Sequence, residues 1–248
     1  MAGLVAAAGP GAAAGAEEPL TIYYFSRPPL YMTDAQGRPG GVLLELTERI
    51  MQRAGLECRL VEVPAKRALL AIERDEPACG VGWYRLAERE KFAVFSLPIH
   101  RDPPQVAVVR RALARDLPRP ATLDDLLGRS LVLGVIDGFN YGPVAERKMA
   151  QYNPRTQRIT GEMGQLMRMT ALGRCDWFLA NRLEVEWHLG GDPALGQELG
   201  PVELADQPQG NLRYLMCGPS LGGAHLDRIN RAILELVGDL EGGGQPQP

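Results

Sequence analysis

Strand-like and helix-like segments alternate along most of this chain, and the alternation restricts the fold more than any other feature. Apolar, β-rich runs such as residues 20–25 and 131–136 are separated by stretches with helical periodicity. Residues 42–54 place their apolar side chains on one helical face and are followed by Gly55. Because strands that alternate with helices favour parallel sheets covered by helices, we predict an α/β fold.

The alternation occurs twice. Strands and helices are predicted in turn between residues 20 and 83, and again between residues 105 and 189, before a return strand at 212–217 and an amphipathic helix at 226–240. Residues 201–210 show no periodic pattern and are predicted to be irregular. With 248 residues, 45% of them hydrophobic, the chain has enough apolar material for two cores. Two α/β lobes with a cleft between them follow from this order.

Charge and composition argue against several classes of partner. The net charge at pH 7 is -3, which gives no basic surface for nucleic acid. No run approaches the roughly 18 apolar residues of a membrane span. The sequence shows no phosphate-binding loop, no Ser-His-Asp arrangement and no metal motif. We therefore expect no cofactor, no metal and no catalytic residue.

The cysteines do not form a metal-binding pattern. No CxxC pair occurs in the sequence, and no cysteine clusters with the three histidines. The four cysteines are Cys58, Cys79, Cys175 and Cys217. Each lies in or beside an apolar run, where a small buried thiol is usual. In an oxidising compartment the sequence leaves a Cys175–Cys217 disulfide open.

The two ends of the chain have biased compositions. Residues 1–16 are nearly all alanine and glycine, and Ala14-Gly15-Ala16 before Glu17 is similar to a signal-peptidase site, although no basic residue precedes it. This segment, residues 1–17 with its junction, is either the remnant of an export signal or a low-complexity tail, and the sequence favours neither. Residues 242–248, rich in glycine and proline, are expected to be disordered.

Residues 79–98 hold the side chain that most suggests a function. An apolar strand at 79–83 is followed by a polar turn that contains Arg89. Open α/β sheets bind ligands at the carboxyl ends of their strands, and a guanidinium there offers a planar fork of donors suited to a carboxylate or phosphate. The alternative is a surface arginine paired with Glu88 or Glu90.

Five short motifs, in order, give the chain a resemblance to a known family. They are Pro28-Pro29-Leu30-Tyr31; Gly40-Gly41 before the first helix; Ala87-Glu88-Arg89 with Phe95-Ser96-Leu97-Pro98; Leu126-Leu127-Gly128; and Gly173-Arg174-Cys175-Asp176. From about residue 20 to residue 240 the chain resembles the type II periplasmic solute-binding proteins, in particular the family 3 extracellular solute-binding proteins of ABC transporters. The glutamate-arginine followed by phenylalanine-serine is the most specific of these motifs.

The resemblance implies a periplasmic-binding-protein type II fold, an α/β clamp of two lobes with a cleft and a two-strand hinge. Lobe 1 would comprise residues 18–103 and 210–241, and lobe 2 residues 104–209. Such a protein is periplasmic and closes on a small-molecule ligand by a hinge motion. The closed form then docks on an ABC transporter permease in the membrane. We expect a monomer with no enzymatic activity.

The resemblance also implies ligand contacts. In the family, the arginine that matches Arg89 holds a ligand carboxylate, with a hydroxyl residue three positions earlier that is Leu86 here. The acidic residue that takes the ligand ammonium matches Asn181. The other matching positions are Tyr24 and Arg27 in the first loop and Phe139 and Asn140 in the turn of lobe 2. Most groups that would recognise an α-amino acid are thus missing.

Basic and aromatic side chains occupy the cleft loops instead. Because a buried ammonium without a carboxylate partner is unfavourable, we expect a small anion, amino-acid-like or another carboxylate, with a flat or apolar body. Tyr24 and Trp83 could equally belong to the core, and Arg67, which with Lys66 begins a helix, could cover apolar surface with its stem. The candidate ligand-binding residues are Tyr24, Arg27, Tyr31, Arg67, Trp83, Tyr84, Arg89, Phe139, Asn140 and Asn181.

Two other functions remain open on the same fold. A dehydratase that acts on cyclic precursors of aromatic amino acids would need an acid in the cleft, and the candidates are Glu45, Glu88 and Asp137. A detached ligand-sensing module would instead pass ligand occupancy to a partner protein.

Overall fold

The computed structural model describes residues 18–242. The expectations for residues 1–17 and for the C-terminal residues from 243 onward lie outside the described residues. The helices are α1 Val42–Ala54, α2 Ala65–Glu73, α3 Arg111–Ala114, α4 Leu123–Leu127, α5 Pro143–Tyr152, α6 Met163–Ala171, α7 Arg182–Gly191, α8 Pro193–Glu198 and α9 Gly223–Leu236. The strands are β1 Leu20–Tyr24, β2 Met32–Thr33, β3 Pro39–Gly40, β4 Cys58–Glu62, β5 Ala78–Trp83, β6 Val94–Phe95, β7 His100–Arg101, β8 Gln105–Arg110, β9 Leu133–Ile136, β10 Thr156–Ile159, β11 Trp177–Asn181, β12 Leu199–Glu203 and β13 Leu212–Cys217.

Local sequence explains several helix boundaries. α1 spans the predicted residues and ends at Gly55, whose φ of 66° is left-handed and unfavourable for residues with a Cβ. Thr122 begins α4 with a capping box: its hydroxyl accepts a hydrogen bond from the Asp125 backbone N–H at 3.1 Å, and the Asp125 carboxylate accepts one from the Thr122 N–H at 2.8 Å. These boundaries follow from side chains near in sequence.

The first sheet has the order β4-β1-β5-β13-β6, and β7 also pairs with β13. β1 is parallel to both β4 and β5, whereas the return strand β13 is antiparallel to β5. The parallel strands place the loop after β1 and the start of α2 at one edge of the sheet. That edge faces the second lobe.

The second sheet repeats this arrangement with the order β10-β9-β11-β8-β12. β9 is parallel to β10 and β11, and β8 runs antiparallel to β11 and β12. The prediction of irregular structure over residues 201–210 is wrong for the first three residues, because β12 continues to Glu203 along β8. Strand pairing supplied by β8 orders a segment that has no strand pattern of its own.

Two lobes, each a sheet covered by helices, confirm the predicted fold class. Ile22, Leu43 and Ile229 lie in the core of the first lobe, with α1 and α9 on the same face of its sheet. Trp177 and Phe178, neighbours in β11, point into separate cores on the two faces of the second sheet. None of the helices among residues 18–242 is both long and apolar enough to cross a membrane.

The cysteine pairing differs from the expectation. A disulfide joins Cys79 in β5 to Cys217 in β13, and Cys58 and Cys175 are free. The Cys175–Cys217 pairing is wrong because Cys175 is buried in a core of the second lobe. Cys79 and Cys217 instead lie directly opposite each other on neighbouring strands of the first.

The chain crosses between the lobes at two adjacent segments. The Asp102 backbone N–H donates to the Asn211 carbonyl at 2.9 Å, which holds the two crossings side by side. Gly210 lies so close to the Asp102 and Pro103 carbonyl groups that a Cβ there would overlap them. The bounds 18–103 with 210–241 and 104–209 stay our proposal for the two lobes, and the strand membership of the sheets supports them.

Candidate functional site

A cavity of about 1080 Å³ lies between the two lobes. The loop after β1 and the start of α2 line it from the first lobe, and the loops after β9 and β10 with α7 line it from the second. The carboxyl ends of parallel strands therefore meet at this cavity, which is where α/β sheets bind ligands. The side chains that determine its chemistry include Arg27, Lys66, Trp83, Arg89, Phe139 and Glu184.

Arg89 reaches the cavity with no carboxylate bound to it. Its guanidinium donates a hydrogen bond to the Tyr84 carbonyl at 2.9 Å and lies 4.8 Å from the centre of the Trp83 ring. Among residues 18–242, no carboxylate oxygen comes within 4.0 Å of its nitrogen atoms. Burial lowers the pKa of Arg89, and the charge of Glu88 partly opposes that shift. Glu90, a proposed alternative partner, is bound instead by Arg85, at 2.5 Å between Nε and Oε1.

Aromatic rings from both lobes line the cavity beside Arg89. The ring of Phe25 lies 6.0 Å from Trp83 and 6.5 Å from Phe139, measured between ring centres. Trp83 and Phe139 were predicted, whereas Phe25 was not, because a strand-end phenylalanine reads as a core residue. The three rings give the cavity an apolar wall suited to a flat or hydrocarbon part of a ligand.

An ion pair crosses the cavity from one lobe to the other. Arg27, in the loop after β1, donates from Nε to Glu184 Oε1 at 2.6 Å and from Nη2 to Oε2 at 2.8 Å. Glu184 lies in α7 and its side chain is fully buried, while that of Arg27 is 14% exposed. Burial by itself lowers the pKa of Arg27, but the charge and hydrogen bonds of Glu184 raise it well above the ordinary value. The guanidinium also lies 4.7 Å from the centre of the Phe139 ring.

The remaining wall of the second lobe is polar and acidic. Asp137, Glu162 and His188 line it. The Asp137 carboxylate lies 3.7 Å from Arg158 and accepts a hydrogen bond from the Thr160 hydroxyl at 3.2 Å. Burial lowers the pKa of His188, although the charge of Glu184 opposes this. Among the described residues, the unpaired cationic groups Lys66 and Arg89 therefore lie on the first-lobe side, together with the exposed Glu62, and the second-lobe side is acidic.

Two predicted tyrosines lie beneath the cavity. The Tyr24 hydroxyl forms a hydrogen bond of 2.7 Å with the Thr33 hydroxyl inside the first lobe. Tyr31 is fully buried in the same core, and its hydroxyl has no hydrogen-bond partner among the described residues. Tyr24 therefore packs in the core, which was the alternative stated for it, and Tyr31 is also a core residue; neither lines the cavity.

The predicted polar residues of the second lobe, and Arg67, also lie off the cavity wall. The Asn140 side chain accepts a hydrogen bond from the Gly142 N–H at 2.8 Å. Asn181 is buried and caps α7 by accepting from the Leu183 N–H at 2.8 Å. Arg67 is exposed, and its neighbour Lys66 lines the cavity instead.

Tyr84 belongs to a buried network at the first crossing between the lobes. Its hydroxyl donates to Asp102 Oδ2 at 2.8 Å, and Arg213 Nε donates to Asp102 Oδ1 at 2.7 Å. Arg213 also donates to the Gly82 carbonyl at 2.8 Å. Burial raises the pKa of Asp102, but the charge and hydrogen bond of Arg213 outweigh it and lower the pKa below its usual value. Tyr84 thus holds the hinge region rather than the cavity wall.

Among the cavity residues that sequence reasoning missed, Glu184 is the one that pairs with Arg27. It lies three positions after Asn181, one turn into α7, and its partner Arg27 is 157 residues away in sequence. The only signal was an acidic residue in the first turn of a helix, which usually reflects the helix dipole. Within residues 18–242, no three His, Cys, Asp or Glu side chains are grouped so as to hold a metal ion.

Comparison with protein families matches residues 21–236 to the bacterial extracellular solute-binding proteins, family 3. No curated protein sequence matches the chain.

Several solved structures share the fold. An ancestral arginine-binding protein bound to arginine is 17% identical, with a TM-score of 0.71 over 88% of this chain and 92% of that one. The BvgS periplasmic VFT2 domain of Bordetella pertussis is 17% identical, with a TM-score of 0.71 over 89% of this chain and 88% of that one. A histidine kinase sensor domain with similarity to periplasmic binding proteins is 23% identical, with a TM-score of 0.68 over 88% and 90%. At these identities the likeness extends to the fold alone.

Proposed function

The chain belongs to family 3 of the bacterial extracellular solute-binding proteins, and from that premise we propose that it binds a small carboxylate-bearing solute between its lobes. Arg89 is the anchor of the ligand carboxylate. The aromatic rings of Phe25, Trp83 and Phe139 contact the body of the ligand.

The state of Arg89 carries this proposal. A partly buried guanidinium that faces a cavity and has no carboxylate within 4.0 Å among the described residues is an unmatched charge. A ligand carboxylate would supply the missing charge through a bidentate pair. Arg27, by contrast, already has both of its carboxylate contacts from Glu184.

We propose a location outside the cytoplasm, in the periplasm, and delivery of the solute to an ABC transporter permease. The family name supports the extracytoplasmic location. The buried Cys79–Cys217 disulfide supports it independently, because disulfides persist in oxidising compartments. Since sensor domains share the fold, uptake of the identified solute in cells with and without this protein would separate transport from sensing.

Catalysis is the less favoured alternative. Of the three acids considered for a dehydratase, Asp137 lines the cavity, Glu45 lies at a separate surface groove and Glu88 is exposed. Asp137 is exposed and already contacts Arg158. Because general acid–base catalysis needs a positioned group with a matched pKa, this arrangement offers little to a reaction.

The test is a thermal-shift screen of small carboxylates and amino acids, followed by calorimetric titration of Arg89→Ala. We expect affinity to fall by about 10- to 100-fold, as for a charged hydrogen-bonded pair. Arg85→Ala is the matched control, because Arg85 lies in the same turn, pairs with Glu90 and does not line the cavity. Equal affinities of the Arg89→Ala variant and the wild-type protein would refute the role of Arg89.

A further inference from the structure

Arg27 and Glu184 form a direct polar link between the lobes across the cavity. The pair is bidentate, with nitrogen–oxygen distances of 2.6 Å and 2.8 Å. Arg27 belongs to the loop after β1 in the first sheet, and Glu184 belongs to the helix after β11 in the second. Moving the two lobes apart, so that the cavity opens, would therefore break this ion pair.

The ion pair and its burial together make the Glu184 carboxylate inaccessible to a ligand in this structure. Both carboxylate oxygens are bound by Arg27, and the side chain is fully buried. The Arg27 guanidinium also lies 4.7 Å from the centre of the Phe139 ring. An ammonium group of a ligand could reach Glu184 only by displacing Arg27, which would leave a buried guanidinium without its partner.

Other groups near this position do not substitute for Glu184. Asn181, at the N-terminus of α7, is neutral, and its carbonyl oxygen is used by the helix cap. Asp137 and Glu162 lie on the same wall and Glu62 lies on the first-lobe wall, but all three are exposed to solvent. Asp137 also already faces Arg158. A buried carboxylate is the group that best selects a cation, since exposed carboxylates interact weakly with charges in water.

We propose that Arg27 stands in for the cationic group of a ligand: it occupies Glu184, so the lobes close without a solute and the cavity selects carboxylates that lack an ammonium. This specificity deepens the proposed function and relies on it for the carboxylate anchor at Arg89. The closure without solute does not depend on any ligand.

The specificity test compares amino acids with the same molecules lacking the amino group. The pairs are phenylalanine and 3-phenylpropionate, glutamate and glutarate, and arginine and 5-guanidinopentanoate, each titrated by calorimetry. We expect every carboxylate that binds to do so at least about tenfold more tightly than its amino acid. The proposed specificity is overturned if the amino acids bind more tightly than their deaminated counterparts. It is also overturned if none of the three deaminated acids binds at millimolar concentration.

Variants assign that preference to the ion pair. Arg27→Gln frees Glu184, so this variant should bind amino acids more tightly than the wild-type protein does and reduce or reverse the preference for deaminated acids. The double variant Arg27→Gln with Glu184→Gln should lose that increase in affinity for amino acids. Arg182→Gln is the control, because Arg182 lies on α7 but pairs with Glu186 and Glu203 away from the cavity. An unchanged preference in a folded Arg27→Gln variant overturns the assignment.

The closure test needs no ligand and remains available if Arg27→Gln fails to fold. Wild-type protein is stripped of bound solute by unfolding and refolding, and its radius of gyration is compared with that of Glu184→Gln by small-angle X-ray scattering. We expect the wild-type protein to match the closed structure and the variant to be larger. A stripped wild-type protein as extended as the variant overturns the closure.

The two proposals fail in different ways. If the Arg89→Ala variant binds the ligand as tightly as the wild-type protein while the Glu184→Gln variant is more extended, the role of Arg89 as carboxylate anchor is wrong. The proposal that the lobes close without a solute then still holds. If amino acids bind through Arg89 more tightly than their deaminated counterparts, the proposed function holds and the specificity is wrong.

Discussion

Two arginines in one cavity have opposite surroundings. Arg27 is fully engaged by Glu184, whereas Arg89 contacts a carbonyl and an aromatic ring. The difference arises because α7 brings a carboxylate to Arg27, while among the described residues the nearest acids to Arg89 along the chain pair elsewhere or point to solvent. The paired guanidinium of Arg27 therefore suits a structural role, and the guanidinium of Arg89 suits the ligand-binding role that we propose for it.

At the scale of single residues, Arg213 should be the most sensitive charged position outside the cavity. Its side chain is 2% exposed and compensates Asp102, which is 4% exposed. Arg213→Met should lower the free energy of unfolding by about 3–5 kcal/mol, because it leaves a buried carboxylate without its guanidinium partner. Urea unfolding measures this, with Arg85→Ala as an exposed control. A loss below about 1 kcal/mol would contradict the ion-pair role of Arg213.

Histidine burial should make stability depend on pH. Burial lowers the pKa of His100 and of His188 below the ordinary value of 6.5. The unfolded chain therefore binds more protons than the folded chain as the pH falls below about 6.5, so stability is present above that pH and decreases below it. The urea midpoint should be lower at pH 5.5 than at pH 7.5, and His100→Gln with His188→Gln should reduce the difference. If the double variant shows the same difference between its urea midpoints at pH 5.5 and pH 7.5, groups other than these histidines cause the pH dependence.

At the scale of elements, the disulfide joins the third strand of the first sheet to its return strand. Cys79 and Cys217 are separated by 138 residues, and that interval contains the whole second sheet. In the chain-entropy account, closing so long a loop stabilises the fold by about 5 kcal/mol. Cys79→Ala with Cys217→Ala should therefore unfold at a much lower urea concentration. The same decrease in a Cys58→Ala control would point to an effect unrelated to the loop.

At the scale of the whole molecule, the two crossings set how the lobes face each other. A Cβ on Gly210 would overlap the Asp102 carbonyl, so Gly210→Ala must push the crossings apart. We expect a loss of about 1–3 kcal/mol in stability and a changed radius of gyration. Gly190→Ala is the control, because Gly190 lies in α7 with open space around it. Equal behaviour of the two variants would mean that the crossings are not closely packed.

The sequence by itself determined the alternation of strands and helices, several helix boundaries and the family-like order of motifs. The helical period and Gly55 set the bounds of α1, and Thr122 with Asp125 set the start of α4, because both depend on residues a few positions apart. The motif around Arg89 pointed to a side chain that the structure places at the cavity between the lobes. Trp83 was expected at the cavity from its place at the end of the same strand, and Phe139 from the family resemblance.

Only the tertiary structure decided which distant residues meet. Arg27 and Glu184 are 157 residues apart, and Cys79 and Cys217 are 138 apart, so no local pattern links either pair. Their meeting depends on which strands are neighbours and on how the two lobes close. For the same reason the sequence could not separate Tyr31, which is buried in the core, from Trp83, which lines the cavity. Aromatic side chains at strand ends look alike until sheet order places them.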